Sequence, residues 1–341
     1  MMRPSLVLGL SLCALALVAC EPGSQNQSGT QEASVGGQNL AAAVGVAISI
    51  PQFQYPEQFD LQSSRELHIF NSLGLAERFE ENLHSDGTGQ IALLVENYAG
   101  AGLPNWSAPS AQLLGSYYDR QSYLVKYRDL HLGSKASLHR NFRWSEQPGV
   151  VLVAGINCRR IHAHSVEGLG DFDFLAAVSN NLLLGWTAFD PLGHPTMKLE
   201  TTAVNFAPNH SNVLWASPAV AEHPYVDGND EPKLGFPPIE PQYLPPGFYL
   251  LEKRLLLANA VLAGLGNIHA ALYSDGIHLL FVAQQKIVGT PGLSIISGSS
   301  LAMFATVGGI GVVEGDFPGL RAYVVGQLPM EELQTIYGSL F

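Results

Sequence analysis

The clearest pattern of apolar and polar positions lies between residues 158 and 206. Segments of strand length, rich in apolar residues, alternate there with short turns that contain Gly, Asn, Asp and Pro. The segments are residues 158–164, 172–178, 182–189 and 196–206. Because turns this short join neighbouring antiparallel strands, the pattern predicts an antiparallel meander.

Upstream of the meander the periodicity changes. Between residues 63 and 83 the apolar side chains recur at mixed three- and four-residue spacing, which is typical of one face of a helix. Gly74 interrupts the run, so the pattern predicts two short helices. The apolar positions are Leu67, Phe70, Leu73, Leu75, Phe79 and Leu83. Strands are predicted at residues 90–98, 121–127, 136–144 and 150–154.

A proline-rich stretch separates this part of the chain from its C-terminal part. Residues 207–246 carry nine prolines, have few side chains able to pack, and are too long for a loop inside one compact domain. The stretch therefore predicts an interdomain linker at residues 207–241. Beyond it, strands are predicted at residues 249–257, 269–273, 277–284, 301–307, 310–314 and 320–326, and a helix at 329–340. Without regular β-α-β alternation this order excludes a doubly wound sheet and favours an α+β fold.

The N-terminal residues form a separate unit. Arg3 precedes an apolar run at residues 6–19 that is shorter than the roughly 20 residues of a membrane-spanning helix. Residues 1–19 are therefore predicted to be a signal peptide that is removed during secretion. Residues 20–44 are rich in Gly, Ser, Gln and Asn and are predicted to form a flexible tether.

Composition narrows the classes of partner. The net charge is −12, and binding to a phosphate backbone requires basic surface, so nucleic acid is excluded as a partner. After removal of residues 1–19 the cysteines are Cys20 and Cys158. If Cys20 is acylated, the mature chain forms no intramolecular disulfide.

The sequence offers no motif for catalysis. The nucleophile elbow G-x-S-x-G, the zinc motif H-E-x-x-H, the P-loop and G-x-G-x-x-G are all absent. No enzymatic activity and no cofactor are predicted. Cys158, His162 and His164 alternate and would share one face of a strand. Such neighbours rarely converge on one ion without a ligand from another element, so no metal site is predicted.

Five stretches together resemble the RseB/MucB family of periplasmic regulators of the envelope-stress sigma factor. They are residues 153–161 (VAGINCRRI), 182–193 (LLLGWTAFDPLG), 244–248 (LPPGF), 273–276 (YSDG) and 324–329 (VVGQLP). The larger domain of that family shares the fold of the LolA/LolB lipoprotein carriers. The resemblance implies a curved antiparallel half-barrel at residues 45–206 and a smaller antiparallel α+β domain at residues 242–341.

The resemblance also implies a binding site. In a LolA-like half-barrel the concave face is an apolar groove, which would accept a lipid or a lipopeptide. The residues expected to line it here are Phe172, Phe174, Leu184, Trp186 and Phe206.

A second resemblance concerns Cys20. The sequence Leu17-Val18-Ala19-Cys20 resembles the lipobox of bacterial lipoproteins, in which the cysteine is acylated, with chains such as palmitate, and begins the mature chain. The resemblance implies a lipid-anchored, periplasm-facing protein of the bacterial cell envelope. Glu21, rather than Asp, follows the cysteine, which favours the outer over the inner membrane. Each buried acyl CH₂ contributes about 0.8 kcal/mol, so several chains anchor a protein stably.

Two functions follow from these resemblances. The first is a non-enzymatic, membrane-anchored regulator that binds the periplasmic part of an anti-sigma factor. The two-domain layout favours it, because LolA and LolB lack the smaller second domain. The second is a carrier or acceptor of lipid or lipoproteins. The lipid anchor favours that function, because LolB is itself an outer-membrane lipoprotein.

Replacing the lipobox cysteine tests the anchor. Cys20→Ser removes the thiol that is acylated, so we expect the variant to lose its acyl chains, whereas the unchanged protein partitions into detergent. Detergent phase separation of both proteins measures this. Equal recovery of both proteins in the aqueous phase would show that Cys20 carries no lipid.

Overall fold

A computed structural model describes residues 45–71, 73–111, 113–115, 117, 124–215, 222–257, 266–287, 303–307 and 310–341. The predicted signal peptide, Cys20 and the tether at residues 20–44 lie outside these residues. The described chain consists mostly of two antiparallel sheets with few helices. No helix in these ranges has both the length and the apolar character that crossing a membrane requires.

The first sheet has nine strands. They are β1 (Val46–Ala47), β2 (Asp60–Phe70), β3 (Ala76–Asp86), β4 (Ile91–Ala99), β5 (Phe142–Val153), β6 (Ile156–Ser165), β7 (Asp171–Ala177), β8 (Leu183–Phe189) and β9 (Pro195–Asn205). Their order in the sheet is β1-β5-β6-β7-β8-β9-β2-β3-β4. The two ends do not pair, so the sheet is a curved half-barrel and not a closed barrel. The predicted meander is confirmed as β6 to β9.

The inner face of this sheet carries its main apolar core. We use "inner face" for the face on which Leu67, Phe79, Phe172, Phe174 and Trp186 lie, all of them less than 2% exposed. These side chains belong to one cluster of buried residues. The cluster continues into the second sheet through residues such as Ile268, Val312 and Tyr323.

Residues 63–83 do not form the predicted helices. They belong to the antiparallel hairpin of β2 and β3. Gly74 lies in its turn with φ +72°, in the left-handed region, and so helps to reverse the chain. The inward positions of β2 include Ser63 and Arg65, whose side chains are buried. Polar residues at inward positions break the alternation of apolar and polar side chains, and what is left of the pattern resembles a helix.

Two strand predictions are also wrong. Residues 121–127 and 136–144 coincide in part with a π-helical turn at Leu124–Arg128 and with helix α1 at Lys135–Asn141. Strand β5 begins only at Phe142. The side-chain oxygen of Ser134 accepts a hydrogen bond from the backbone N–H of Ser137 at 3.2 Å. This N-cap satisfies a free donor of the first turn and starts the helix.

Four charged side chains are buried between the inner face and the π-helical turn. Arg65 and Glu81 come from β2 and β3, and Arg128 and Asp129 from the end of the turn. The two terminal nitrogens of Arg128 donate to Glu81 at 2.7 and 2.8 Å. Arg65 lies 3.0 Å from Glu81 and 2.6 Å from Asp129. Two cations and two anions therefore balance inside the protein, and the pairs join the hairpin to its cover.

Tyr117 completes this cluster. Its hydroxyl donates to Glu81 at 2.6 Å and is fully buried. Burial and the Glu81 carboxylate raise the pKa of Tyr117 well above its usual range, so the hydroxyl stays protonated and remains a donor.

The second sheet has seven strands and a helix across one face. The elements are β10 (Glu222–Pro224), β11 (Tyr249–Leu256), β12 (Ile268–Ser274), β13 (Leu279–Lys286), β14 (Met303–Val307), β15 (Ile310–Phe317), β16 (Leu320–Gly326), the short helix α2 (Glu231–Leu234) and helix α3 (Met330–Gly338). The strand order is β10-β11-β12-β13-β16-β15-β14. Leu333 and Ile336 of α3 are buried in a cluster with Val282 and Val324. The predicted C-terminal helix over an antiparallel sheet is therefore present.

Part of the proline-rich stretch packs against the second sheet, although few of its side chains were expected to pack. Strand β10 pairs with β11. Tyr225, Leu234 and Phe236 are buried in a cluster with Leu255. The side chain of Gln284 hydrogen-bonds both the N–H and the carbonyl oxygen of Ile239. The linker at residues 207–241 and the two domain boundaries stay predictions, but residues 222–239 are docked rather than free.

Two turns of the second sheet meet the end of helix α1 at Asn141, directly before β5 of the first sheet. Its amide donates to the carbonyl oxygens of Gly247 at 3.1 Å and of Asp275 at 2.6 Å. The N–H of Gly133 donates to the carbonyl oxygen of Gly276 at 2.8 Å. Gly247 belongs to the LPPGF stretch and Asp275 to the YSDG stretch. Two of the five stretches that carry the family resemblance therefore form the junction of the sheets.

His278 fills the space beside this junction. Its Nδ1 lies 2.7 Å from Asp275 Oδ2, and both side chains are 2% exposed. The imidazole packs against Phe142 and Phe172, with ring centroids 6.0 and 4.9 Å apart. The side chains of Asp275 and His278 are thus buried at this junction.

The buried charge cluster should make Glu81 critical for stability. Glu81→Gln keeps the size of the side chain but leaves two arginines with one carboxylate, and we expect a loss of about 3–5 kcal/mol in the free energy of unfolding. Urea denaturation measures it. The control is Glu167→Gln in an exposed turn, with an expected change within about 0.5 kcal/mol. Similar small changes in both variants would mean that the cluster contributes no net stability.

The junction makes a second prediction. Gly247 has φ +89°, and a Cβ built there lies 2.5 Å from Asn141 Oδ1. Gly149 has φ +92° and nothing within 4 Å of such a Cβ. Because both replacements by alanine strain the backbone alike, we expect Gly247→Ala to cost about 1–3 kcal/mol more than Gly149→Ala. Thermal denaturation compares the two variants, and equal costs would argue against close packing at the junction.

Candidate functional site

Three of the five predicted groove residues lie together on the inner face. The rings of Phe172 and Phe174 are 6.0 Å apart, and Trp186 lies opposite Phe174 on the neighbouring strand. All three are at most 1% exposed. In the described structure these side chains are part of a packed core.

The other two groove residues lie elsewhere. Leu184 has no partner on β7, because the register shifts between the pairs Leu175–Gly185 and Ala176–Leu183. It is buried in a separate cluster of apolar residues. Phe206 follows the end of β9 and is 50% exposed. A groove lined by all five residues stays a prediction that this arrangement does not assemble.

The inner face is covered by side chains from the chain between β4 and β5. Leu113, Tyr117, Val125 and Leu130 are buried in the same cluster as Trp186. The void that the described residues leave beside Trp186 has a volume of about 20 Å³. Such a space holds about one water molecule and no acyl chain.

A large open cleft lies instead at the edge of the half-barrel. It has a volume of about 1030 Å³ and is bounded by residues 47–52 on one side and by α1 and the start of β5 on the other. The N–H of Ile48 donates to the carbonyl oxygen of Trp144 at 3.1 Å, and this bond sets the base of the cleft. The half-buried side chains of Ile48 and Ile50 form its apolar floor, whereas Phe142 and Trp144 of the lining are almost completely buried in the core.

Every charged side chain that lines this cleft is basic or a histidine. They are Lys135, His139, Arg140, Arg143 and Arg159. Arg159 is held by Asn181 at 2.6 Å and by Glu146, outside the lining, at 3.5 Å. Lys135, Arg140 and Arg143 are exposed and form no salt bridge with any described residue. In a chain with a net charge of −12 this is a local concentration of positive charge.

Sequence reasoning missed this cleft. The signal was the Ser134 cap, which makes residues 135–141 helical and brings Lys135, His139 and Arg140 to one end of the sheet. In the predicted strand at residues 136–144, successive side chains would point to opposite faces, so the basic residues would not be grouped.

A smaller cleft of about 340 Å³ lies between the two sheets. Its lining includes Phe172, Pro191, Leu192, His278 and Leu328. Leu192 is 81% exposed at the tip of the hairpin between β8 and β9. This cleft is mostly apolar and lacks the basic rim of the larger one.

Cys158 and the two histidines of β6 have different surroundings. Cys158 is fully buried among apolar side chains, and burial raises the pKa of its thiol. His162 and His164 stand at the surface, opposite Asp173 and Asp171 of β7. Hydrogen bonds to Asp171 and Asp173 raise the pKa of His162 to about 9.

Comparisons with known proteins add a likeness of fold. No protein-family model matches the chain, and no curated protein matches it. Among solved structures, a crystal structure of MucB in complex with MucA(peri) is 16% identical with a TM-score of 0.47, covering 82% of this chain and 92% of that chain. The chain is remotely similar to MucB.

Two further structures show the range of this likeness. The complex of MucA and MucB from Pseudomonas aeruginosa is 18% identical with a TM-score of 0.43, covering 82% of this chain and 92% of that chain. A putative outer membrane lipoprotein-sorting protein domain from Vibrio parahaemolyticus is 8% identical with a TM-score of 0.20, covering 46% and 88%. The similarity to MucB at these values does not say what the cleft binds, so a function has to be inferred from the residues that form it.

Proposed function

We propose that this chain is a non-enzymatic binding protein of the bacterial cell envelope, and that the basic cleft binds an acidic, partly apolar segment of a partner protein. Following the family resemblance of the five sequence stretches, the partner is the periplasmic part of an anti-sigma factor. The observation that carries the proposal is the charge of the cleft, whose ionisable lining is entirely basic in an acidic chain.

The charge of the cleft favours an acidic partner. A concave site lined by one sign of charge concentrates the field and raises the rate at which opposite charges arrive. The rest of the surface repels the same partner, because the chain as a whole carries −12. Attraction at the cleft and repulsion elsewhere select one docking position.

The floor of the cleft adds an apolar contact. Ile48 and Ile50, which are half-buried, offer aliphatic surface between the basic side chains. A segment that places an apolar side chain on this floor and carboxylates towards Arg140 and Arg143 would satisfy both parts of the site.

The position of the cleft agrees with an anchored protein. Its wall begins at residue 47, three residues beyond the predicted tether at residues 20–44. We propose that acylated Cys20 anchors the chain to the envelope membrane, with the outer membrane favoured by Glu21. The tether then holds this wall within reach of the membrane surface.

A carrier of lipid or lipoproteins is less well supported. A carrier needs an apolar cavity, whereas the described inner face holds four buried charges and a void of about 20 Å³. The apolar cleft between the sheets remains as an alternative place for a lipid.

Charge reversal inside and outside the cleft tests the proposal. Arg140→Glu places a carboxylate in the cleft, and Arg160→Glu makes the same change on an exposed residue of β6 that does not line it. We expect Arg140→Glu to weaken binding of the periplasmic part of the anti-sigma factor about tenfold or more and to reduce its salt dependence, and Arg160→Glu to change it less than about twofold. Isothermal titration calorimetry at two salt concentrations measures both.

Other outcomes would reject the proposal. Equal losses of affinity in the two variants would mean that binding depends on the net charge of the protein and not on the cleft. If the unchanged protein binds no anti-sigma factor but binds a fluorescent fatty acid or lipopeptide, and neither arginine affects that binding, the carrier function replaces the regulator.

A further inference from the structure

The outer face of β6 and β7 brings two histidines and two aspartates together. The register pairs His162 with Asp173 and His164 with Asp171 directly across the two strands. Ile161 precedes the two histidines and Ala163 lies between them. Both side chains point into the core and are fully buried. The alternation of the strand therefore leaves all four polar side chains on the surface side.

One carboxylate serves both imidazoles. Asp171 Oδ1 lies 2.9 Å from His164 Nδ1, and Asp171 Oδ2 lies 3.4 Å from His162 Nε2. One ligand atom from each of these three residues lies within 4.8 Å of the others. The backbone N–H of Ser165 donates to Asp171 Oδ1 at 3.1 Å and helps to orient the carboxylate.

The second aspartate orients one of the histidines. Asp173 Oδ1 lies 2.8 Å from His162 Nδ1, on the side of the ring away from Asp171. A histidine that binds a metal through one nitrogen almost always donates a hydrogen bond from the other to a carboxylate or carbonyl, which fixes the ring and its tautomer. His162 has this arrangement, with Nε2 directed towards Asp171 and Nδ1 held by Asp173.

We propose that His162, His164 and Asp171 bind a divalent transition-metal ion of the Zn²⁺ class, and that Asp173 is a positioning residue for His162. Zinc takes imidazole nitrogen at about 2.0–2.1 Å and carboxylate oxygen at about 2.0–2.2 Å, so tetrahedral ligands stand about 3.3 Å apart. Asp171 Oδ2 lies 3.0 Å from His164 Nδ1 and 3.4 Å from His162 Nε2, and both separations are close to that value. Small side-chain rotations bring the three atoms around one ion, and water takes the fourth position.

The neighbouring charges permit a cation. Arg143 lies across from His164 on β5, but its guanidinium donates to the carbonyl oxygen of His139, 3.5 Å away, towards α1. The cluster itself contains two carboxylates and two imidazoles. Once the imidazoles are neutral its net charge is negative, so it favours a divalent cation.

Other histidine–carboxylate pairs in the described residues lack this arrangement. His194 lies 3.2 Å from Asp190. In the group of His84, His210 and Asp60, the carboxylate lies 3.0 Å from His210, and His84 contacts His210 rather than the carboxylate. At β6 and β7 two imidazoles meet one carboxylate. Among the described His, Cys, Asp and Glu side chains, this group matches the geometry of a metal site.

Zinc titration of the mature, tag-free protein tests the proposal. We expect isothermal titration calorimetry to give one Zn²⁺ per chain and Zn²⁺ to raise the melting temperature, because an ion that binds only the folded state stabilises it. Asp171→Asn and His164→Ala should weaken the affinity about tenfold or more, and Asp173→Asn by about tenfold while the stoichiometry stays at one. The matched control His194→Gln removes an exposed imidazole beside a carboxylate and should leave the affinity unchanged.

Co²⁺ gives an independent readout. Bound to two imidazoles and a carboxylate it should show visible absorption bands without the charge-transfer band of a thiolate, which would arise if Cys158 were a ligand. Circular dichroism checks that each variant folds. The proposal is overturned if the folded, unchanged protein binds no Zn²⁺, or if His194→Gln weakens binding as much as His164→Ala, or if a thiolate band appears.

Discussion

The buried group of Arg65, Glu81, Arg128 and Asp129 is the constraint on which the half-barrel depends. Four buried charges are tolerated only if each finds a partner, because leaving one unpaired costs several kcal/mol. Their mutual geometry therefore requires that the hairpin of β2 and β3 and the π-helical turn be in place together. Among the described residues, the inner face beside this group is filled by side chains, and the large cleft lies elsewhere.

That constraint explains where the candidate site lies. The chain between β4 and β5 is committed to covering the inner face, and α1, at its end, projects Lys135, His139 and Arg140 towards the wall formed by residues 47–52. The cleft is thus formed by the end of the segment that covers the half-barrel. Arg143 of its basic rim lies directly across from His164, so the rim borders the histidine–aspartate group on the outer face of β6 and β7.

The sequence predicted the fold best where apolar and polar positions alternate without interruption. Strands β6 to β9 and the second sheet follow such patterns, and short Gly, Asn and Asp turns mark their ends. The hairpin of β2 and β3 was not predicted, because Arg65 and Glu81 occupy inward positions and their pairing with each other is invisible in a local pattern. The same limit applies to the outer face: His162 and His164 are adjacent in the sequence pattern, but Asp171 joins them only through the register of β6 and β7, which depends on the turn between them.

The order of strands in the first sheet has a consequence for how the protein reaches its folded state. Strand β2 pairs on one side with β3, its neighbour in sequence, and on the other with β9, so that Gln62 lies beside Asn205. Closing so long a segment of chain costs conformational entropy before the contact is made, and such pairings are intrinsically slow. A chain synthesised from its N-terminus would therefore keep one edge of β2 open until residue 205 has followed, and that edge would meanwhile be available for pairing with other unfolded chains.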